Sequence, residues 1–125
     1  MIQRILSSAE AREFLNSVPY PEYVPETLPL CCDKTIVLGW YSLGLTACFP
    51  CQIFGDEVEI HAACARGFRG SKAVFAGVSA IKWIFDKTRF DVVFCEPSSR
   101  EAAHFAHLCG MRRTGVRLEI NRWAA

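Results

Sequence analysis

The stretch from residue 56 to 85, DEVEIHAACARGFRGSKAVFAGVSAIKWIF, constrains the fold more than any other part of the chain. It opens with period-2 alternation: Val58, Ile60, Ala62 and Cys64 fall on one face, and Glu59, His61 and Ala63 on the other. That pattern predicts a strand over Asp56–Ala65. Gly67 and Gly70 then bracket Phe68 and Arg69 in a tight loop. Ala73–Lys87 follows with Val74, Val78, Ile81 and Phe85 on one helical stripe. A strand that feeds a helix through Arg66, Arg69 and Lys72 makes a candidate anion site. The first amides of a helix have no partner within it, the helix dipole is positive there, and the side chains add charge.

The flanking residues supply the rest of a sheet. Met1–Leu6 reads as a strand, and Ser7-x-x-Glu10 is a capping-box pattern that starts a helix near Ser8 and carries it to about Val18. Pro19–Pro29 contains four prolines and excludes a regular helix throughout. Thr35–Trp40 is a strand by composition, and Gly44–Phe54 is a second, interrupted near Pro50. Gly55-Asp56 makes the turn that joins them to Asp56–Ala65 in an antiparallel meander. Phe90–Cys95 is nearly all apolar, as in a buried central strand, and the helix before it is the crossover that sets it parallel to Asp56–Ala65. Ser98-x-x-Glu101 starts a helix that runs to Cys109 and stops at Gly110. Ala102, Phe105, Ala106 and Cys109 form its apolar stripe, opposite Arg100, His104 and His107. Arg112–Trp123 supplies one or two strands, broken at Thr114-Gly115.

A chain of 125 residues supports one core, so a single domain over 1–125 is expected. No apolar run is long enough to span a bilayer and Met1–Glu10 lacks a secretion signal, which points to the cytoplasm. Charge is unevenly divided. Residues 1–62 hold three basic and eight acidic side chains, whereas residues 63–125 hold eleven and five. A basic half suits a phosphate-rich ligand. Basic runs with interleaved aromatics are missing, which argues against nucleic acid. The cysteines number seven. Cys48-Phe-Pro-Cys51 has the spacing of a redox pair or half a zinc site, with Cys31 and Cys32 as the remaining ligands. Proline in a strand is the wrong context for the redox motif, and adjacent cysteines suit a tetrahedral metal poorly. Buried free thiols and no metal site are therefore expected.

FRGSKAVFAGVSAIKWIF resembles the acyl-CoA-binding segment of the GNAT N-acetyltransferase superfamily. There a strand leads into a loop of pattern Arg/Gln-x-x-Gly-x-Gly/Ala that opens a helix and holds the CoA pyrophosphate on its amides. Arg69 takes the first position, while Lys72 and Val74 stand where the family has small residues. In this it is similar to degenerate loops of phage-encoded GNAT-like proteins. Ser99–Met111 resembles a second family segment, Asn-x-x-Ala-x-x-Phe/Leu-Tyr-x-x-x-Gly-Phe, through Ala102, Phe105, Gly110 and Met111. Ser99 replaces its asparagine, and Ala106 the tyrosine that commonly protonates the leaving thiolate.

The resemblance implies an α/β (α+β) GNAT-like fold: a central mixed, mostly antiparallel sheet of six or seven strands with three main helices. Two of its strands splay to admit the pantetheine arm. It implies acetyl-CoA as cosubstrate and an amine acceptor, with Pro19–Pro29 on the acceptor side or, alternatively, as a connecting loop. Glu59 would be the catalytic base, with His61 second and suited by its ordinary pKa. The Cys64 amide would polarise the acetyl oxygen, and Arg69, Gly70, Ser71, Lys72, Ala73, Val74 and Ser99 would bind cofactor. Glu59 and His61 read equally as ordinary strand residues, and His104 and His107 as a solvated face. Two further readings accompany the enzyme. One is a catalytically inactive phage protein that assembles the virion head, found in host cytoplasm or virion and bound to phage structural proteins. The other is a CoA-binding regulator. Homodimers through the terminal strands are common in the family.

Overall fold

The computed structural model describes residues 1–18 and 34–123. The chain runs β1 (Ile2–Ile5), α1 (Ser8–Ser17), β2 (Thr35–Tyr41), β3 (Leu45–Phe54), β4 (Glu57–Ile60), β5 (Ala63–Cys64), α2 (Ser71–Lys87), β6 (Val92–Cys95), α3 (Arg100–Leu108), β7 (Arg112–Thr114) and β8 (Arg117–Asn121). The segment Pro19–Pro29, Cys31 and Cys32 lie outside the described residues.

The strands form one sheet in the order β1-β2-β3-β4-β6-β8-β7, with β5 on β3. Among the described strands only β4 and β6 pair in parallel, as the crossover through α2 requires. The sheet has eight strands rather than six or seven because the predicted strand over Asp56–Ala65 is two, β4 and β5. Pro50 is the cause. β3 runs through Pro50 without the interruption expected there, and its register against β4 and β5 is continuous, from Cys51↔Ile60 to Cys48↔Ala63. His61 N donates to Pro50 O at 2.8 Å, but a proline has no N–H to return. The ladder therefore lapses on the partner, at His61–Ala62, and not on β3.

Each helix is set by local chemistry. Ser7 caps α1, its hydroxyl accepting from Glu10 N at 3.2 Å. The cap of α3 is Ser99, not Ser98: its hydroxyl accepts from Ala102 N at 3.1 Å. Gly110, at φ 100°, ends α3, with Met111 N donating to Ala106 O and Gly110 N to His107 O, a Schellman pair. α2 starts two residues before the predicted Ala73. Its buried stripe is Ala73, Ala76, Gly77, Ala80, Ile81, Ile84 and Phe85, while Val78 is 42% exposed. The predicted stripe of Val74, Val78, Ile81 and Phe85 is thus rotated, because small residues face the layer that α2 must approach closely.

Two apolar clusters cover the two faces of the sheet. The larger joins Leu38, Phe49, Cys51, Val58, Ile60 and Val93 to α2, to Ala106 of α3 and to Cys109 at its C-terminal cap. The smaller joins Ile5, Val37, Cys48 and Ala63 to Ala11 and Leu15 of α1. Glu57, Glu59 and His61 alternate with Val58 and Ile60, so they lie on the α1 face.

Candidate functional site

The parallel ladder between β4 and β6 ends at Glu59↔Phe94. Beyond it Ile60 still pairs with Cys51 of β3, and Cys95 with Leu118 of β8. The two central strands therefore part company, each held by its outer neighbour. The N–H groups of His61 and Ala65 point at β3, where they reach Pro50 O and Thr46 O at 2.8 Å. Alternation then turns the N–H of Cys64 the other way, toward the gap.

Glu59 and His61 meet at this divergence. His61 Nε2 lies 3.1 Å from Glu59 Oε1, and both side chains keep a little under a fifth of their surface exposed. This is a half-buried hydrogen-bonded pair on one face of the sheet. Glu59 stands on β4, and His61 follows the last residue of that strand, in the break before β5.

The loop after β5 turns through two left-handed glycines, Gly67 at φ 88° and Gly70 at φ 65°. Gly70 caps α2 and brings no side-chain hydrogen bond to the helix start. The opening turn at Ser71, Lys72 and Ala73 thus has amides with no side-chain acceptor, beside the exposed cations Arg66, Arg69 and Lys72. Ala73 is buried and Val74 half-buried. Ser99 stands apart from this cluster in role, since its hydroxyl caps α3. An open groove of about 490 Å³ adjoins the loop, lined by Trp40, Ser42, Phe68, Ser71, Lys72 and Phe75.

The five described cysteines are free thiols, buried or half-buried. Cys48 and Cys51 belong to opposite sheet faces, one in each cluster, so the C-x-x-C can neither close a disulfide nor share a metal. Burial pushes the Cys51 thiol far up, and pushes Cys64 and Cys95 to about 11. Cys109 reaches about 12, through burial first and then the neighbouring Cys64 and Cys95. Among the described residues no group of three or more His, Cys, Asp or Glu could hold a metal ion.

Two arginines escaped the sequence reading. Arg117 donates to both carboxylate oxygens of Glu57, at 3.1 and 2.8 Å, and to Glu119 at 3.0 Å, with its guanidinium 4.3 Å from the centre of the Phe94 ring. It ties β4, β6 and β8 together beside the Glu59–His61 pair. Arg122 donates to the carbonyls of Phe85, Thr88 and Phe90 at 2.6, 2.8 and 2.8 Å, closing the C-terminal end of α2. Only long-range pairing brings either to its partners, so no local pattern marks them.

No protein-family model matches the chain, and no curated protein matches it. Solved structures do. The chain is similar to a mutant of spermidine N-acetyltransferase SpeG from Vibrio cholerae, with a TM-score of 0.72 at 11% identity over 98% of this chain and 95% of that one. It is similar to a GNAT-family acetyltransferase from Bacillus anthracis, with a TM-score of 0.69 at 17% identity over 98% and 94%. It is also similar to aminoglycoside acetyltransferase AAC(6')-Ib in complex with coenzyme A and kanamycin, with a TM-score of 0.71 at 13% identity over 99% and 96%.

This is the GNAT fold. The GNAT fold accounts for the strand divergence after Glu59 and for the glycine-bent loop that opens α2. Ala106, which the sequence resemblance sets against a tyrosine, is 5% exposed within the larger core cluster and presents no hydroxyl. Tyr41, the tyrosine within the described residues, donates to Glu10 at 2.7 Å. Burial and that carboxylate push its phenol up to about 12. No described helix is long and apolar enough to cross a membrane.

Proposed function

We propose that the chain is an acyl-CoA-dependent N-acetyltransferase that moves an acetyl group from acetyl-CoA to an amine, acting as one GNAT-like domain in the cytoplasm. The observation that carries this reading is the end of the β4–β6 ladder at Glu59↔Phe94, next to a helix start that no side chain caps. The three structures above are acetyltransferases, one with coenzyme A bound, which supports the same reading.

The residues divide the work as follows. The amides of Ser71, Lys72 and Ala73, with Arg66, Arg69 and Lys72 around them, hold the pyrophosphate. Lys72 and Val74 replace small residues, but a phosphate at the helix start meets their backbone, and Lys72 is exposed. The gap between β5 and β6 admits the pantetheine arm. The Cys64 N–H donates to the acyl oxygen as negative charge develops there. The acceptor must lose a proton to attack, and the Glu59–His61 pair receives it, directly or through water. A new C–N bond forms, the C–S bond breaks, and the leaving thiolate takes its proton from solvent, since Ala106 has none to give.

A second reading keeps the fold without the chemistry: a structural phage protein of the virion head. It is favoured by Ala106 and by the larger residues at 72 and 74. Thermal unfolding separates the two. Ligand at a hundred times its dissociation constant adds about 2.7 kcal/mol, a shift of several degrees. Millimolar acetyl-CoA, with desulfo-CoA as control for thiol exchange, is expected to produce that shift, and Arg69→Ala/Lys72→Ala to remove it. The absence of any shift in the native protein would overturn the enzyme reading. With an amine acceptor found by screening, Glu59→Gln and His61→Ala are each expected to lower kcat by roughly 10²–10⁴.

A further inference from the structure

We propose that Cys64 and Cys109 form an oxidation site, which a small-molecule disulfide joins in a reversible bridge that closes the gap between β5 and β6. The gating part of this inference rests on the acyl-CoA reading above and adds regulation to it. Three of the described thiols gather at the gap. Cys64 ends β5, paired with Ala47 of β3, and Cys95 ends β6, paired with Leu118 of β8. Each rim therefore carries one thiol. Both pack against the larger core cluster, of which Cys109 is a buried member. Cys51 pairs with Ile60, before the strands part, and Cys48 belongs to the cluster on the opposite face.

Cys109 comes from the helix layer. Its Sγ donates to Val74 O at 3.9 Å, and a Cβ on Gly77 would stand 2.6 Å from it. The thiol thus lies against the first two turns of α2, which the loop from Cys64 leads into. After burial, the groups that raise it are Cys64 first and Cys95 second, which ranks Cys64 as the nearer partner. The three thiols are free, so a bridge requires Cys64 to shift toward the α3 cap. Little packing resists that shift. β5 is two residues long, and nothing lies within 4 Å of where a Cβ would stand on Gly67 or Gly70 in the loop that follows.

Accessibility sets the order of events, because Cys64 is half-buried and Cys109 buried. The Cys64 thiolate attacks one sulfur of the small disulfide, its S–S bond breaks, and one small thiol leaves. The Cys109 thiolate then attacks Cys64 Sγ and releases the second. The two protein thiols give up two electrons and two protons, and the small disulfide accepts them to end as two thiols. Burial raises both protein thiols, so exchange is slow at neutral pH and answers sustained oxidation. The bridge carries sulfur across the mouth that the acyl arm enters, and it draws the Cys64 N–H out of line with the acyl oxygen.

The test is incubation of native protein, Cys109→Ala and Cys95→Ala with oxidised glutathione. Unreduced peptides are then mapped by mass, and the protein is titrated calorimetrically with desulfo-CoA, which cannot exchange with a disulfide. Native protein is expected to yield peptides joined through Cys64 and Cys109 and to lose desulfo-CoA binding, and dithiothreitol to restore it. Cys109→Ala is expected to stop at a glutathione adduct on Cys64, while Cys95→Ala forms the bridge as native protein does. If Cys64 and Cys109 stay reduced, or join other cysteines instead, the pair is overturned. A bridge that leaves desulfo-CoA affinity intact overturns the gating. If reduced native protein does not bind desulfo-CoA, the acyl-CoA reading falls and the gating with it, while the peptide map still decides the pair.

Discussion

Arg122 shows how much one side chain far along the sequence can stabilise. The last carbonyls of a helix have no partner within it, and Arg122 supplies donors to Phe85 and Thr88 as well as to Phe90 beyond. Hydrogen bonds from a charged donor to half-buried carbonyls are each worth about 1.5–3 kcal/mol, and they are not additive. Arg122→Ala is therefore expected to cost about 2–3 kcal/mol, read as a fall in Tm of roughly 10 °C, and a Tm unchanged by the substitution would refute the role. Arg117 acts on pH dependence instead. Its hydrogen bonds hold the Glu57 carboxyl below its ordinary 4.5. With the folded value below the unfolded one, the unfolded chain binds more protons over that window. The contribution is then present above pH 4.5 and lost as pH falls through the lowered folded value. Glu57→Gln should flatten the loss of stability below pH 4.5, measured as the urea midpoint against pH. An equally steep loss in the variant would assign acid sensitivity to other groups.

The contact between α2 and α3 depends on a missing side chain. A Cβ on Gly77 would stand 2.6 Å from Cys109 Sγ and 3.2 Å from the Phe105 ring. Alanine favours a helix over glycine by about 1 kcal/mol, but overpacking costs about 1–3 kcal/mol. Packing wins here, because Cys109 is buried and fixed at the α3 cap. Gly77→Ala should lower stability, and adding Cys109→Ala should recover much of it; additive effects in urea unfolding would disprove the contact. This also explains what could be read from sequence at the level of elements. Ser7 and Gly110 act through neighbours in sequence, so their helix ends were legible. The buried stripe of α2 was misplaced because Ala73, Ala76, Gly77 and Ala80 carry little hydrophobic signal, although they set the approach distance. Pro50 was correctly seen as a disturbance, but its effect crosses to the opposite strand, which only the register reveals. The capping-box spacing to Glu101 selected Ser98, but Ser99 is the chemically equivalent neighbour that caps α3.

At the scale of the molecule, the order of elements and the parallel crossover were legible, because alternation and helical spacing persist over long stretches. The Glu59–His61 pair was legible as two residues on one strand face, but its 3.1 Å contact was not. The charge division in the sequence has a spatial counterpart that bears on ligand capture. Arg66, Arg69 and Lys72 gather around the start of α2, whereas Glu57, Glu59 and Glu119 lie on the face of the sheet opposite that helix. A field of this polarity draws a polyphosphate toward the loop and away from the far face. Screening length falls from about 30 Å at 0.01 M salt to about 3 Å at 1 M, so long-range capture should weaken while short-range contacts persist. In stopped-flow binding of CoA, the association rate is therefore expected to fall at least tenfold across that range, with dissociation changing much less. Arg66→Gln/Arg69→Gln should slow association at low salt and make it nearly independent of salt. A native association rate that ignores ionic strength would mean that the exposed cations of the loop do not steer, leaving the backbone amides of α2 to hold the phosphates alone.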